Sequence, residues 1–241
     1  MLFFLIWSIY LLIKGQWVGS SIVLGISISV KLLPLLILPI VFQWFIPKGN
    51  PIKGWWKLGI YYTLALGTFA VSFTPFISKE VISHYLGTIG LWFQDFEFNA
   101  SVYYIIRWIG FKIVGWNIIE TVGLILPIIV FLFIIAISIF RNNKGILKMI
   151  TSMLFAVSFY FLLATTIHPW YIATPLLLSL FTKYRFPIVW SFMVMLSYAA
   201  YGENGFHENL LVVGIEYLVV ILFFIWELSR KDQRELGFLR L

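Results

Sequence analysis

Residues 93–107 read FQDFEFNASVYYIIR, and this stretch decides how the rest of the chain must be arranged. It gathers the carboxylates of Asp95 and Glu97 with Asn99 and Arg107, in a sequence that is otherwise almost continuously apolar. Hydrocarbon cannot solvate such side chains, so they must lie at a water interface or line a cavity. We therefore expect the apolar segments on either side to form a frame around a polar site.

The composition around this stretch indicates a helical membrane protein. Hydrophobic residues make up 61% of the 241 positions and charged residues only 11%, whereas soluble domains carry about 25% charged residues. The apolar runs are also longer than the alternating segments of about ten residues that build a membrane barrel. We predict an all-α fold, a single polytopic transmembrane helical bundle over residues 1–241 with about seven to eight membrane segments.

The boundaries of these segments follow from the apolar runs and the turn residues between them. Lys31 and Pro34 break the second run, because proline removes a backbone donor and clashes with the preceding turn. Residues 78–101 are expected to face outward, and residues 102–116 to form a short amphipathic helix along the membrane surface. The apolar runs are residues 1–13, 17–45, 58–77, 118–140, 149–167, 172–181, 187–201 and 210–226.

Basic residues cluster in short loops between the apolar runs, which is the pattern of cytoplasmic loops under the positive-inside rule. This rule places the loop at residues 47–54 and the C-terminal tail in the cytoplasm, and the polar site on the outer side. The net charge of +7 would suit nucleic acid, but no basic face is free of the bilayer, so nucleic-acid binding is excluded. The absence of cysteine excludes disulfides and thiolate metal sites.

Lys31 is the first candidate functional residue, because it lies deep within an apolar run. A charged side chain at the centre of a membrane helix costs about 2.5–3.5 kcal/mol on insertion scales. One interpretation is that Lys31 meets an anionic group, such as a phosphate, inside a cavity. The alternative is that it snorkels to the surface or pairs with Glu216 of a neighbouring helix.

Asp95, Glu97 and Asn99 alternate along the chain, so on an extended segment they would share one face. Two carboxylates and an amide could bind sugar hydroxyls or a divalent metal ion, and Asp95 and Glu97 are the candidate catalytic carboxylates. The same residues could instead form a solvated turn. Arg107 would lie near lipid phosphates, either as a binding residue or as an ordinary interfacial anchor.

The sequence His168-Pro-Trp-Tyr171 stands between two apolar runs on the outer side. His168 could bind phosphate or relay a proton, and Trp170 and Tyr171 would then line a substrate site. A turn in the aromatic belt of the membrane is the alternative. A further outer cluster, Glu203, His207 and Glu208, matches no strong metal-ligand spacing.

Three stretches, taken in order and spacing, resemble a known family. They are residues 25–39 (GISISVKLLPLLILP), 96–111 (FEFNASVYYIIRWIGF) and 166–178 (TIHPWYIATPLLL). They resemble segments of bacterial GT-C class membrane mannosyltransferases. Enzymes of that class take a sugar from a polyprenyl-phosphate donor on the outer side of the cytoplasmic membrane and form a glycosidic bond.

The resemblance implies roles for the candidate residues. Lys31, Arg107 and His168 would hold the donor phosphate, and Asp95, Glu97 and Asn99 would face the sugar or the acceptor. Members of the class are considerably longer, and their acidic motif, which serves as base or metal ligand, lies in the N-terminal half. We therefore expect this chain to correspond to the C-terminal part of such an enzyme, as a fragment, a split gene product or a truncated reading frame, and to be inactive alone. In the split case a separate N-terminal half would be its partner.

Two other functions remain open from the sequence. The chain could be a non-catalytic membrane subunit that completes another protein. It could also be a transporter or flippase-like protein, since Lys31 and Glu216 could line a pathway. Transporters usually show paired repeats with interrupted helices, whereas this sequence shows one interrupted helix without a mate, so a glycosyltransferase is the preferred prediction.

Overall fold

The computed structural model describes residues 1–46, 51–202 and 205–230, and within them the chain is all-α, as the sequence predicts. Strand structure there is limited to a hairpin, β1 (Tyr201–Gly202) with β2 (Gly205–Phe206). The helices are α1 (Leu2–Ile13), α2 (Trp17–Val30), α3 (Phe42–Phe45), α4 (Pro51–Phe73), α5 (Lys79–Gln94), α6 (Val102–Ile113), α7 (Ile119–Phe140), α8 (Ile146–Leu163), α9 (Ala173–Ser179), α10 (Phe186–Met193) and α11 (Leu210–Ser229). The 3-10 helices are Leu33–Val41, Thr74–Phe76, Pro169–Ile172 and Val194–Ala200.

Three of the described helices, α7, α8 and α11, are long and apolar enough to cross a bilayer. On α7, the side chains of Leu124, Ile128 and Phe131 are each 57–58% exposed. A continuous row of large exposed apolar side chains is unfavourable in water and suits contact with lipid. The described helices therefore support the predicted membrane protein.

The predicted break in the second apolar run is confirmed. α2 ends at Val30, and Lys31 has an extended backbone with φ −160° and ψ 136°. The chain continues as the 3-10 helix Leu33–Val41, with Pro34 at its start and Pro39 inside. Neither proline has an N–H for an α-helical ladder, and each ring crowds the preceding turn. Lys31 therefore lies at the junction between α2 and the 3-10 helix, within an apolar run of the sequence.

Helix α2 packs closely against both α1 and α4, so these three helices form a compact group. A Cβ atom at Gly25 would lie 2.5 Å from the backbone oxygen of Ala65, so this approach requires glycine. The Ser8 hydroxyl donates to the carbonyl of Ser20 at 2.8 Å, and the hydroxyls of Ser20 and Tyr61 lie 3.1 Å apart. These buried hydroxyls are therefore hydrogen-bonded between helices rather than left unsatisfied.

Gln43 on α3 forms hydrogen bonds with the backbone at the end of α7. Its Nε2 atom donates to three carbonyl oxygens there, those of Ser138, Ile139 and Arg141, at 2.8, 3.0 and 2.7 Å. Its Oε1 atom accepts the N–H of Asn143 at 3.0 Å. The last carbonyls of a helix have no intrahelical donor, so this one amide caps α7.

Residues 78–101 contain a helix that the sequence analysis does not predict, α5. The hydroxyl of Ser78 accepts the N–H of Val81 at 3.2 Å, which caps the start of this helix. The short helix predicted at residues 102–116 is confirmed as α6. Its side chains Ile105, Trp108 and Ile109 are exposed on one face, as expected of a helix at a membrane surface.

Some predicted features lie outside the described residues. They are residues 47–50 of the basic loop, Glu203 of the outer cluster, and the charged tail from residue 231 onward.

Glu227 near the end of α11 caps the start of α10, and this contact gives a first prediction. Its carboxylate accepts the N–H groups of Arg185 and Phe186 at 2.8 to 2.9 Å, and only 8% of the residue is exposed. Glu227→Gln removes the charge that these donors face, and we expect the free energy of unfolding in detergent to fall by about 1–2 kcal/mol. Glu120→Gln, an exposed acid in the first turn of α7, is the matched control and should lower the free energy of unfolding by less than about 0.5 kcal/mol. Equal losses in both variants would contradict the capping role.

Candidate functional site

The loop between α5 and α6 is fixed against the segment that follows α8. The Phe98 N–H donates to the carbonyl of Thr165 at 3.0 Å, and the Ile167 N–H donates to the carbonyl of Phe98 at 2.8 Å. The Thr166 hydroxyl donates to the carbonyl of Phe96 at 2.9 Å. This pairing brings the stretch that organises the sequence next to the His168-Pro-Trp-Tyr171 segment.

Asn99 lies at the centre of the polar groups and is fully buried. Its backbone N–H donates to Oε1 of Glu208 at 2.6 Å, and its Nδ2 atom donates to Oε1 of Glu216 at 3.1 Å. Its carbonyl accepts the hydroxyl of Tyr217 at 2.7 Å. Its φ of 47° is in the left-handed region, where asparagine is among the better tolerated residues. Asn99 therefore joins two carboxylates to the loop through both its backbone and its side chain.

Glu97 and Arg107 form an ion pair beside Asn99. The Nδ2 atom of Asn117 donates to the other carboxylate oxygen of Glu97, and the Tyr103 hydroxyl donates to Oδ1 of Asn117 at 3.0 Å. The guanidinium of Arg107 lies 4.3 Å from the ring centroid of Tyr104. Both oxygens of Glu97 are thus occupied by donors within the chain.

Tyr104 extends the same network to the segment before α11. Its hydroxyl donates to Oε2 of Glu208. Burial, and then the hydrogen bond to Glu208, raise the pKa of Tyr104 well above its usual range. The phenol therefore stays protonated at physiological pH and remains a donor to this carboxylate.

A second cluster, which we call the cation cluster, consists of Lys31, His168, Trp170 and Tyr171. The Lys31 ammonium lies 3.7 Å from the centroid of the Tyr171 ring. The rings of His168 and Trp170 stack at 4.5 Å with an interplanar angle of 8°, and Trp170 is 61% exposed. Lys31 makes no ion pair with any described residue. The cluster thus holds a positive charge above aromatic faces, with an exposed indole beside it.

His168 is expected to be neutral at physiological pH. Burial, and then the nearby charge of Lys31, lower the pKa of His168 from its usual value. Lys31 is therefore the charged residue of the cation cluster at that pH. Since the Phe98 ring lies 5.0 Å from the His168 ring, the cation cluster adjoins the network around Asn99.

The structure brings together all of the predicted site residues except Asp95. Asp95 follows the end of α5 and is exposed; its backbone N–H donates to the carbonyl of Leu91 at 2.9 Å, while its carboxylate makes no hydrogen bond with the described residues. Asn99 does not continue the extended segment on which a shared face was expected, because its φ is left-handed; its side chain contacts Glu216 whereas Glu97 contacts Arg107. The alternative pairing of Lys31 with Glu216 is also wrong, because Glu216 faces Asn99.

Sequence reasoning missed Asn117. Its Oδ1 atom accepts the N–H of Ile119 at 3.1 Å as well as the Tyr103 hydroxyl. A short polar residue just before an apolar run is typical of a helix cap. The sequence position of Asn117 therefore indicates a cap for α7 and gives no indication of its contact with Glu97. No group of three His, Asp or Glu side chains that could hold a metal ion is found among the described residues. Glu203 of the outer cluster lies outside them, so that cluster is not tested.

Neither family models, curated proteins nor solved structures gave a match to this chain. The interpretation of the site therefore rests on its own geometry and chemistry.

Proposed function

We propose that the chain is part of a membrane glycosyltransferase of the GT-C class, which moves a sugar, mannose by the resemblance, from a polyprenyl-phosphate donor to an extracytoplasmic acceptor. The observation that carries this proposal is the Lys31 ammonium, which faces Tyr171 without a carboxylate partner among the described residues. A half-buried cation without a counter-ion is costly unless an anion joins it. A phosphate group meets that need, and the exposed Trp170 ring beside it suits the apolar face of a sugar.

In the proposed reaction, Lys31 and Asp95 have separate roles. The acceptor hydroxyl oxygen attacks C1 of the sugar, the bond between C1 and the phosphate oxygen breaks, and the electron pair leaves on polyprenyl phosphate. Lys31 stabilises the charge that develops on this leaving group. The hydroxyl proton passes to a carboxylate, and because Glu97 is occupied by Arg107 and Asn117, Asp95 is the accessible one of the two candidates.

The resemblance places the acidic motif of the class on an N-terminal half, which we propose as a separate partner. A divalent metal ion would be held together with that motif, since the described residues provide no cluster for it. In this chain, the residues around Asn99 would then orient the sugar or the acceptor.

The same proposal includes the membrane arrangement. The site lies at the start of α11 and the end of α8, whereas Lys148 lies at the start of α8 and Arg230 follows α11. This separation supports a bacterial inner-membrane protein with the site facing outward, a cytoplasmic C-terminus, and seven to eight membrane segments of GT-C type.

Two alternative functions also agree with features of the structure. A non-catalytic subunit would share the lipid-phosphate contact without transfer. A transporter or flippase-like protein would use Glu216, a fully buried acid, to line a pathway.

Transfer of radiolabelled mannose from polyprenyl-phosphate-mannose to membrane acceptors tests the proposed function. The chain alone should be inactive, and the chain co-expressed with the protein encoded by its upstream neighbour should transfer the label. Asp95→Asn should then abolish transfer if Asp95 accepts the proton, whereas Glu120→Gln, an exposed acid at the start of α7, should not. A folded protein that transfers no label in either form would overturn the glycosyltransferase and favour the subunit or transporter.

A further inference from the structure

Glu216 on α11 is a buried acid that the proposed reaction does not use. The residue is 0% exposed, and the other charged residue of this helix, Glu227, lies near its end. Both a packed protein interior and the hydrocarbon of a bilayer disfavour an isolated charge. The charge state of Glu216 therefore depends on the groups that surround its carboxyl group.

The hydrogen bonding of Glu216 differs from that of the other shielded acids. The other buried or half-buried acids of the described chain, Glu97, Glu208 and Glu227, each accept hydrogen bonds on both carboxylate oxygens. The Oε1 atom of Glu216 accepts from Nδ2 of Asn99 at 3.1 Å, but its Oε2 atom has no hydrogen-bond partner among the described residues. A buried anion normally has donors on both oxygens, so this carboxyl group is poorly solvated as an anion.

The surroundings of Glu216 also lack a balancing cation. Glu216 belongs to no ion pair within the described part of the chain. The titratable groups around it are Glu208, Tyr217 and, beyond Tyr217, Tyr104, and none of them is a cation. Helix α10 and the 3-10 helix Val194–Ala200, which pack against α11, contain no charged residue. An ionised Glu216 would therefore be unpaired and would be repelled by Glu208, and a proton on Glu216 removes this cost.

Asn99 offers the acceptor that a protonated Glu216 requires. Its Oδ1 atom is buried and has no hydrogen-bond partner among the described residues, although its Nδ2 atom donates to Glu216. The two unpartnered oxygens thus belong to two side-chain groups that are already in contact. Both oxygens are acceptors while Glu216 is ionised, so neither can satisfy the other. A proton on Oε2 of Glu216 converts one of them into a donor.

The indole of Trp190 lies beside the same carboxyl group. It is fully buried, and its N–H forms no hydrogen bond of normal geometry with the described residues. A carboxylic acid keeps acceptor capacity, so pairing with Asn99 leaves a lone pair toward which this N–H can turn. Trp190 therefore adds a donor near Glu216 but supplies no positive charge.

We propose that Glu216 is a proton-binding site, and that its carboxylic acid pairs with the amide of Asn99 through two hydrogen bonds. Nδ2–H of Asn99 donates to Oε1, and Oε2–H of Glu216 donates to Oδ1. One proton removes the buried charge and gives both unpartnered oxygens a partner. The pair links α11 to the loop between α5 and α6, so the proton holds the polar stretch of the sequence against a membrane helix.

Infrared spectroscopy of the full chain in dodecyl maltoside, a detergent without carbonyl groups, tests the proposal. A protonated carboxyl group has a C=O band separate from the bands of a carboxylate, and the wild type should show this band at pH 7. Glu216→Gln should remove it. Glu227→Gln is the matched control on the same helix and should leave the band unchanged, because the Glu227 carboxylate accepts N–H donors on both oxygens. A wild type without the band, or an unchanged band in Glu216→Gln, would overturn the proposal.

Thermal unfolding in the same detergent gives a second measurement. Glutamine is a neutral isostere of the carboxylic acid and can donate to Oδ1 of Asn99, so Glu216→Gln should keep the melting temperature within about 2 °C of the wild type. Glu216→Leu leaves the Asn99 amide without a partner and should lower the melting temperature by about 5 °C or more. A loss in Glu216→Gln as large as that in Glu227→Gln would indicate an ionised Glu216 and contradict the proposal.

A sodium ion is the competing occupant, because carboxylate and amide oxygens also bind hard cations. Replacing sodium by choline in the buffer should leave the acid band and the melting temperature unchanged. A melting temperature that falls by more than about 2 °C in choline, in a protein without the acid band, would assign the two oxygens to a metal cation and overturn the proposal. The inference does not depend on the proposed function, since the acid band can be measured in a protein that transfers no mannose.

Discussion

Asn99→Ala is expected to lower the free energy of unfolding in detergent by about 3–4 kcal/mol. The substitution removes the Nδ2 donor from Glu216, a carboxyl group that is fully buried. A buried polar group that loses its hydrogen-bond partner costs about 1–3 kcal/mol. Alanine at the left-handed φ of 47° adds about 1–2 kcal/mol of backbone strain. Chemical unfolding followed by tryptophan fluorescence measures the sum.

Asn99→Gly separates the two causes, because glycine accepts the left-handed backbone but cannot donate to Glu216. It should be less destabilising than Asn99→Ala by about 1 kcal/mol, and the remaining loss then belongs to the amide. Asn142→Ala is the matched control at an exposed loop position, where the side chain only accepts the N–H of Lys144. Wild-type stability in Asn99→Ala would show that the central hydrogen-bond network contributes nothing to the fold.

Lys31→Met should weaken binding of farnesyl phosphate about 10- to 100-fold at pH 7, since a hydrogen bond to a charged group contributes about 1.5–3 kcal/mol. His168 is neutral at that pH, so no second permanent charge in the cation cluster replaces Lys31. Stability should stay the same or rise slightly, because the ammonium has no carboxylate partner among the described residues. Competition against a photoreactive analogue of farnesyl phosphate gives the affinity, and thermal unfolding gives the stability.

Lys14→Met is the control for Lys31, because Lys14 is an exposed lysine 5.7 Å from the Tyr10 ring. It should leave the affinity unchanged, while Lys31→Arg should restore most of it. Equal affinity in Lys31→Met and the wild type would remove Lys31 from the site.

The sequence predicted those parts of the fold and site that depend on local chemistry. Pro34 marked the break beside Lys31, and long apolar runs marked the membrane-length helices α7, α8 and α11. The full count of seven to eight segments stays a prediction, since several apolar runs form shorter helices.

The remaining parts of the site depend on contacts that no local pattern records. Asn99 meets Glu208 and Glu216 across separations of 109 and 117 residues. The alternation of Asp95, Glu97 and Asn99 suggested a shared face only if the backbone stayed extended, and the left-handed turn at Asn99 changes that direction. Asn117 resembled an ordinary cap because its contact with Glu97 is visible only in three dimensions.

The 3-10 helices have a consequence for the surrounding lipid. A 3-10 helix rises about 2.0 Å per residue, compared with about 1.5 Å in an α-helix. Leu33–Phe45 therefore extends about 24 Å and Phe186–Ala200 about 26 Å, each close to but short of a hydrocarbon core of about 30 Å. A bilayer meets short segments by thinning around them. On the proposed arrangement of seven to eight segments, in which Leu33–Phe45 crosses the bilayer, the lipid beside it would be drawn inward and its headgroup layer would lie closer to the depth of Lys31.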